Sequence, residues 1–341
     1  MNKYWLILII LTVIGITGKI IFIPKINQNI TSTESTKASP LPLAIESMRQ
    51  KDYPGSELVI EQTLNDGSNY HQYIASYQSE GLKIYGLLTV PIGEKPKDGW
   101  PVVIFNHGYI PPLQYKTAER YVAYIDAFAR NNYIVFKSDY RGHANSEGNP
   151  EGAYYSPAYA IDVLNALSSL KKYKDADSTR IGMWGHSLGG NITLRSLVVR
   201  PSDIKAAVIW GGVVGTYDNL LNNWRRRVPF TLSPSEQAVR NNSRASMIEK
   251  YGSPSANPKL WNSIDPNYYL LDITAAVQLH AGADDEEVPS AFSRGLFDRL
   301  KKLNKTVEFY SYPGGDHNIS DPNFSVAIKR SVDFFDKYLK R

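Results

Sequence analysis

From about residue 100 onward, the sequence alternates short apolar runs with longer helix-like segments, and this alternation is the feature that most constrains the fold. Continuous apolar runs of this length are typical of strands that are covered on both faces. Strands that alternate with helices predict an α/β domain built on a mostly parallel sheet flanked by helices. The predicted strands of this part are Val102–Phe105, Tyr133–Lys137, Ile181–Trp184, Ala206–Trp210, Val277–Leu279 and Val307–Tyr310. The predicted helices are Lys116–Asn131, Ser156–Lys171, Leu188–Arg200, Pro289–Leu303 and Pro322–Leu339.

Two segments depart from this alternation. Before residue 100, Glu57–Leu64, Tyr70–Tyr77 and Leu82–Val90 are rich in β-branched or aromatic residues and are separated by short turns, which predicts antiparallel strands at the start of the sheet. Later, residues 213–265 contain no clear strand and are too long for a simple connection, which predicts an inserted, mainly helical cap. Together these segments predict one domain over residues 51–341.

The amino terminus predicts a membrane anchor followed by a linker. Tyr4–Ile23 is almost entirely apolar, and a helix of this length, at about 1.5 Å per residue, spans roughly the thickness of a bilayer core. Lys19 interrupts the run but can reach the interface through its long side chain. We predict an uncleaved transmembrane signal anchor over residues 1–24, with a cleaved signal peptide as the alternative, and a flexible polar linker over residues 25–50. Lys3 favours an extracytoplasmic domain, which makes the membrane a predicted partner.

Composition and charge exclude several classes of function. The chain contains no cysteine, which excludes disulfides, thiolate catalysis and cysteine-ligated zinc. The net charge of +5 is scattered along the chain, so no binding of nucleic acid is predicted. An acidic run at residues 284–287 lacks the spacing of a calcium-binding EF-hand loop. No metal and no organic cofactor is therefore predicted, and the chemistry is expected to come from side chains.

Ser187 lies in a G-x-S-x-G stretch, Gly185 to Gly189, between a predicted strand and a predicted helix. A strand, this motif and a helix in direct succession form a nucleophile elbow, a turn so sharp that glycines are needed beside the serine. The turn exposes the hydroxyl at the carboxyl-terminal edge of the sheet. The N–H of Leu188 would lie at the start of the helix, where it can stabilise a developing oxyanion. The sequence therefore predicts Ser187 as a nucleophile and Leu188 as an oxyanion donor.

A histidine and a carboxylate that could activate this serine follow it in the sequence. His317 lies in a glycine-rich loop between the last predicted strand and the last predicted helix, where hydrolases with a nucleophile elbow carry their base. A carboxylate must hold the imidazole in the correct tautomer, and four acidic residues follow the preceding strand. The layout G-x-x-D-x-x-V-P of residues 282–289 favours Asp285, with Asp284 as the alternative. The predicted triad is therefore Ser187, Asp285 and His317.

A second oxyanion donor is expected from the turn after the strand Val102–Phe105. His107 and Gly108 open this turn, and the backbone N–H of Tyr109 is the candidate donor. The phenol of Tyr109 has two open interpretations, a further contribution to the oxyanion hole or an aromatic side chain packed at the mouth of the site.

These motifs resemble those of the α/β-hydrolase superfamily, and within it the serine hydrolases of the prolyl oligopeptidase group, with dienelactone hydrolase-like and acetyl esterase-like enzymes as relatives. The resemblance covers about residues 57 to 341. It implies an α/β-hydrolase fold and hydrolysis through an acyl-enzyme on Ser187. The motifs that carry it are His107-Gly108-Tyr109, Asp139-Tyr140-Arg141-Gly142-His143, Gly185-His186-Ser187-Leu188-Gly189-Gly190, residues 282–289 and Gly315-Asp316-His317.

The resemblance is less specific for the substrate. Peptidases of the prolyl oligopeptidase group usually carry a β-propeller that admits only short peptides, and this sequence has no segment long enough to form one. The predicted function is a prolyl oligopeptidase-type serine peptidase acting on a small peptide, with a membrane-anchored carboxylesterase acting on an ester as the alternative. A non-catalytic, membrane-tethered binding protein would need an incomplete triad or oxyanion hole, whereas every part is present in the sequence. Hydrolysis is therefore the expected chemistry.

Overall fold

The computed structural model describes residues 41–150, 153–225, 227 and 229–340, apart from the side chains of residues 239 and 240. The strands are β1 (Val59–Thr63), β2 (Tyr70–Ser79), β3 (Leu82–Pro91), β4 (Trp100–Asn106), β5 (Ile134–Ser138), β6 (Ala176–His186), β7 (Ala206–Trp210), β8 (Ala276–Gly282) and β9 (Val307–Tyr312). The helices are α1 (Ile45–Gln50), α2 (Val122–Arg130), α3 (Ala158–Lys172), α4 (Leu188–Val199), α5 (Tyr217–Asn222), α6 (Pro234–Tyr251), α7 (Pro258–Ile264), α8 (Ser290–Lys302) and α9 (Phe324–Leu339).

The sheet is antiparallel at one end and parallel over most of its width. Its order is β1-β2-β3-β5-β4-β6-β7-β8-β9, in which β1, β2, β3 and β5 pair antiparallel. Every pairing from β5 through β4 to β9 is parallel. The mostly parallel sheet predicted from the apolar runs is therefore confirmed. Because the carboxyl ends of parallel strands meet at one edge, the loops that follow β4, β6, β8 and β9 lie along the same edge of the sheet.

Helices cover both faces of the sheet, and the alternation of side chains along each strand divides the core between the faces. In β4, Val102 and Ile104 belong to the core formed with α1, α3, α4 and α8. Val103 and Phe105 belong to the core on the opposite face, formed with α2 and α9. All four side chains are fully buried. Burial on both faces explains why this strand is a continuous apolar run in the sequence.

Helix α2 begins well inside the predicted helix Lys116–Asn131, because the backbone of Arg120 and Tyr121 is left-handed, with φ of 65° and 57°. Residues at positive φ cannot continue a right-handed helix. The buried ammonium group of Lys137 stabilises this turn by donating a hydrogen bond to the carbonyl oxygen of Glu119 (3.0 Å). The prediction is therefore wrong for the first part of this helix, where a contact with β5, the strand that follows the helix, stabilises the backbone conformation.

The predicted flexible linker, residues 25–50, is wrong at its carboxyl-terminal end, where α1 forms. Ile45 and Met48 are three residues apart, so they share one helix face, and both are buried in the core that includes α4. Arg49 attaches the helix by donating from Nε (3.0 Å) and Nη2 (2.7 Å) to the carbonyl oxygen of Val198. The end of the predicted linker is therefore an ordered part of the domain.

The predicted transmembrane anchor, residues 1–24, and the first part of the predicted linker lie outside the described residues. Among the residues that are described, no helix combines the length and the apolar character needed to cross a membrane. The membrane anchor and the extracytoplasmic location therefore stay predictions from the sequence alone.

The segment between β7 and β8 contains α5, α6 and α7 and is called the insertion below. Two of its helices begin with capping boxes, in which Thr216 and Ser233 accept hydrogen bonds from backbone N–H groups of the first helical turn. Apolar side chains of the insertion form a small separate core that includes Tyr217 and Trp261. Leu43 also belongs to this core. The segment before α1 therefore packs against the insertion.

One buried guanidinium group joins the insertion to the helix that follows β6. Arg195, in α4, is 2% exposed. Its Nη2 donates to the hydroxyl of Tyr217 (3.1 Å) and to the carbonyl oxygen of Ile264 (3.0 Å). Its Nη1 donates to the carbonyl oxygen of Leu43 (3.2 Å). Because Tyr217 begins the first helix of the insertion and Ile264 ends the last, Arg195 binds both ends of the insertion.

Replacing Arg195 by methionine is expected to lower the free energy of unfolding by about 2 to 4 kcal/mol, because buried carbonyl oxygens lose their donor. Urea-induced unfolding followed by circular dichroism measures this change. Lys171→Met is the matched control, because the ion pair of Lys171 with Asp203 (2.6 Å) is partly exposed to solvent. Such a pair contributes about 1 kcal/mol or less. Equal losses in the two variants would contradict the anchoring role of Arg195.

Candidate active site

Ser187 is the single residue between the end of β6 and the start of α4. Its backbone has φ of 54° and ψ of −116°, a region that residues with a side chain rarely occupy. Hydrogen bonds on both sides stabilise this conformation. The N–H of Ser187 donates to the carbonyl oxygen of Trp210 (3.0 Å), and its carbonyl oxygen accepts from the N–H of Val213 (3.0 Å). This is the strained strand-to-helix turn of a nucleophile elbow.

Two glycines allow α4 to lie close to the sheet at this turn. A Cβ atom added to Gly189 would lie 1.8 Å from the carbonyl oxygen of Asn106, which belongs to β4. A Cβ atom added to Gly185 would lie 2.3 Å from Oγ1 of Thr193. Contacts this short do not occur between real atoms, so any other residue would move the helix away from the strand. The glycines of the motif are therefore required by the packing.

The structure brings His317 and Asp285 together and leaves Asp284 exposed. The loop after β9 carries His317 and the loop after β8 carries Asp285, and Nδ1 of the histidine lies 2.8 Å from Oδ2 of the aspartate. Both side chains are buried, at 7% and 1% exposure. Oδ1 of Asp285 also accepts from the backbone N–H groups of Glu287 (2.9 Å) and Val288 (2.8 Å). Because a carboxylate accepts the bond, Nδ1 of His317 carries the proton and Nε2 is left for other contacts.

The loop after β4 is held so that one backbone N–H has a defined direction. Nδ1 of His107 lies 2.7 Å from the carbonyl oxygen of Gly108, and the carbonyl can only accept, so the ring donates. In a planar trans peptide the C=O and N–H groups point in opposite directions. The N–H of Tyr109 therefore points away from His107. A Cβ atom added to Gly108 would lie 3.2 Å from Cβ of Ser187, so this peptide lies beside the serine.

Buried aromatic rings pack against His107 in this loop. The ring of His107 is stacked between Tyr115 and Tyr140, with centroid distances of 4.6 Å and 4.2 Å. Burial lowers the pKa of His107 well below its usual value. Burial also lowers the pKa of His143 to about 4 and that of His186 to about 3. These rings are therefore neutral at physiological pH and act as hydrogen-bonding and packing groups.

Ser187, His317 and Tyr109 line one cavity of about 540 Å³. A cavity of this size accommodates a small organic ligand. The insertion contributes Trp224 to its wall, and the indole N–H of Trp224 donates to the carbonyl oxygen of Glu287 (2.8 Å) in the loop that carries Asp285. Within the described part of the chain, no group of three or more histidine, cysteine, aspartate or glutamate side chains could hold a metal ion.

Each site residue predicted from the sequence has a defined place in this arrangement. The cavity brings together Ser187, His317 and Tyr109, and Asp285 supports His317 from behind. Leu188 is the first residue of α4, where backbone N–H groups have no partner within the helix.

The residues of the cavity wall that the sequence analysis did not assign to the site include Trp224 and Tyr121. Trp224 lies in the predicted cap at the start of a basic run, residues 224–227, which is typical of a solvated face or of a contact with an anionic group and does not by itself indicate this cavity. Tyr121 lies within a segment predicted as helix, and no sequence pattern distinguished it. Both are placed by tertiary contacts.

Comparisons with known proteins identify a family and a fold. The model of the prolyl oligopeptidase family matches residues 120–341. The chain is 25% identical over 248 residues to the uncharacterized peptidase YtmA of Bacillus subtilis, covering 72% of this chain and 85% of that protein. It is 27% identical over 256 residues to human dipeptidyl peptidase 8, covering 73% of this chain but only 26% of that protein.

Two solved structures of different activities share this fold. Dipeptidyl peptidase 4 of Porphyromonas gingivalis has a TM-score of 0.61 at 19% identity, covering 80% of this chain and 36% of that chain. An acetyl xylan esterase from Paenibacillus sp. R4 has a TM-score of 0.63 at 17% identity, covering 86% of this chain and 92% of that chain. At these identities the likeness is one of fold, and it spans both peptidases and esterases.

Proposed function

The chain belongs to the prolyl oligopeptidase family of serine hydrolases, and on that premise we propose that it cleaves an amide bond in a small peptide through an acyl-enzyme on Ser187. The observation that carries this proposal is the placement of a strained serine and an aspartate-supported histidine at one cavity. A serine hydroxyl is a weak nucleophile unless a neighbouring base takes its proton, and His317 is the base that this cavity offers.

The proposed reaction uses only side chains and backbone groups of the chain. Nε2 of His317 takes the proton of Ser187, whose Oγ attacks the substrate carbonyl. The N–H groups of Leu188 and Tyr109 donate to the oxyanion that forms. Asp285 stabilises the imidazolium, which then protonates the leaving amine. A water molecule deprotonated by His317 hydrolyses the acyl-enzyme and restores the serine.

A carboxylesterase is the second candidate, because solved esterases as well as peptidases share this fold. The chain covers 92% of an acetyl xylan esterase and 85% of the peptidase YtmA, so matches of nearly full length occur in both classes. The insertion contributes Trp224 and Phe230 to the wall of the cavity beside Ser187. The alcohol of an ester is a better leaving group than the amine of an amide, so the two candidates differ in whether the site can expel an amine.

Assays of the full-length protein on two substrates separate the two candidates. One substrate is the ester p-nitrophenyl acetate, and the other is an amide, a proline-containing dipeptide p-nitroanilide. We expect both substrates to be hydrolysed, with Ser187→Ala as the blank, because a histidine in this position can protonate a leaving amine. Ester hydrolysis without any anilide hydrolysis would contradict the peptidase proposal and support the carboxylesterase.

A further inference from the structure

Three consecutive hydrogen bonds run from the loop after β4, through the last residue of β6, to the loop that carries His317. The backbone N–H of Gly108, in the loop after β4, donates to the hydroxyl oxygen of Tyr121 (2.9 Å). The same hydroxyl lies 2.7 Å from Nδ1 of His186, the residue before the serine. Nε2 of His186 lies 3.0 Å from the backbone carbonyl oxygen of His317. Tyr121 and His186 therefore form a continuous bridge between Gly108, in the loop after β4, and the loop that carries His317.

The position of every proton in this bridge follows from its partners. The carbonyl oxygen of His317 can only accept, so Nε2 of His186 carries a proton. Burial and the neighbouring His317 lower the pKa of His186 to about 3, so the ring is neutral and its Nδ1 has no proton. Nδ1 therefore accepts, and the hydroxyl of Tyr121 must donate to it. The oxygen of Tyr121 is then left to accept from Gly108.

The backbone around Tyr121 is built to hold this geometry. Arg120 and Tyr121 both have positive φ, of 65° and 57°, a strain that persists only where surrounding contacts enforce it. Lys137 supplies such a contact by donating to the carbonyl oxygen of Arg120 (3.5 Å) as well as to that of the residue before it (3.0 Å). The ring of Tyr121 packs edge-on against Phe105, with a centroid distance of 5.3 Å.

We propose that Tyr121 and His186 are positioning residues. They hold the loop after β4, with the N–H of Tyr109, and the loop that carries His317 in position relative to Ser187. This proposal is based on the proposed function. The only proton of the Tyr121 hydroxyl is used by His186, so Tyr121 acts through Gly108 and does not itself donate to an oxyanion. With its N–H bound to Tyr121 and its C=O bound to His107, Gly108 cannot turn, and the N–H of the next residue keeps its direction.

The test replaces Tyr121 by phenylalanine, which retains the ring and removes only the hydroxyl. We expect kcat for p-nitrophenyl acetate to fall about 10- to 100-fold with KM changed less than about threefold, because a small displacement of reacting groups lowers the rate more than binding. Tyr133→Phe is the matched control, since it removes a hydroxyl bonded to Asp336 (2.6 Å) at the opposite edge of the sheet. A kcat of Tyr121→Phe within twofold of the wild type overturns the proposal.

A double-mutant cycle separates a bridge from two independent contacts. His186→Phe keeps a planar ring and removes both the acceptor for Tyr121 and the donor for the carbonyl oxygen of His317. If the two residues act as one bridge, the variant with both substitutions is about as slow as the slower single variant. If the two losses of kcat multiply, the residues act independently and the proposal is overturned.

Nitrogen-15 NMR of the histidine rings tests the bridge without any substrate. The expected spectrum of the wild type contains a neutral ring protonated on Nε2 that does not titrate between about pH 5 and pH 8, and this ring is absent from His186→Phe. In Tyr121→Phe, the Nδ1 resonance of His186 is expected to shift. Protonation of the His186 ring on Nδ1 rather than Nε2 overturns the proposal. Absence of any Ser187-dependent hydrolysis overturns the proposed function instead, and the ring spectrum distinguishes the two failures.

Discussion

Replacing Ser187 by alanine is expected to lower kcat on every hydrolysed substrate by about 10⁴-fold or more, because the serine, histidine and aspartate act as a unit. The substitution removes only Oγ, so the fold and the cavity should persist. Initial rates of p-nitrophenyl acetate hydrolysis measure the effect. Ser196→Ala is the matched control, since Ser196 is a buried serine of α4, the helix that follows Ser187, and its hydroxyl donates to the carbonyl oxygen of Ile192 (2.9 Å).

Covalent labelling gives an independent measurement of the same assignment. A fluorophosphonate reagent should modify the wild type once, on a peptide that contains Ser187, and should leave Ser187→Ala unmodified. Turnover that persists in Ser187→Ala would falsify the role of this serine as the nucleophile. Labelling at another serine would show where the nucleophile lies instead.

Replacing Asp285 by asparagine is expected to lower kcat by about 10³- to 10⁴-fold, because an amide cannot hold the imidazole of His317 in the required tautomer. The geometry of the loop should be retained, since the amide oxygen can still accept from the backbone N–H groups that now bind Oδ1. Steady-state kinetics on the ester substrate measure the loss. The substitution should have a far smaller effect on the melting temperature than on kcat.

Asp284→Asn is the matched control for this prediction. The two aspartates are adjacent in the sequence, but Asp284 is exposed and Asp285 contacts His317 at 2.8 Å. We expect Asp284→Asn to retain nearly the full kcat of the wild type. A large loss in Asp284→Asn together with a small loss in Asp285→Asn would reverse the assignment.

The sheet could be predicted because its strands are buried on both faces. A strand such as Val102–Phe105 must be apolar at every position, and that run is visible without knowledge of its neighbours. The order of the chain then predicted which loops meet at the carboxyl edge, and Ser187 and His317 lie in two of those loops. The local packing also explains the glycines of the serine motif, of which Gly189 lies against Asn106.

Other parts depend on contacts between distant segments and left no pattern in the sequence. The start of α2 is set by the left-handed turn at Tyr121, and the ammonium group of Lys137 reaches that turn from a neighbouring strand. Helix α1 has only two buried apolar side chains, Ile45 and Met48, which is too short a pattern to indicate a helix. The layout of residues 282–289 favoured Asp285, whereas the contact with His317 is a property of the folded chain.

The attachment of the insertion by Arg195 has a consequence for how the enzyme can diversify. Both ends of the insertion meet at this one guanidinium group, and the N–H of Tyr217 also donates to Oδ2 of Asp265 (2.9 Å), so the segment leaves and rejoins the domain at neighbouring points. A segment whose two ends are adjacent can be replaced by another segment that joins the same two points of the domain. Recombination or engineering at these residues would exchange the wall that the insertion supplies to the cavity, provided that the new segment replaces the contact of Trp224 with the loop that carries Asp285.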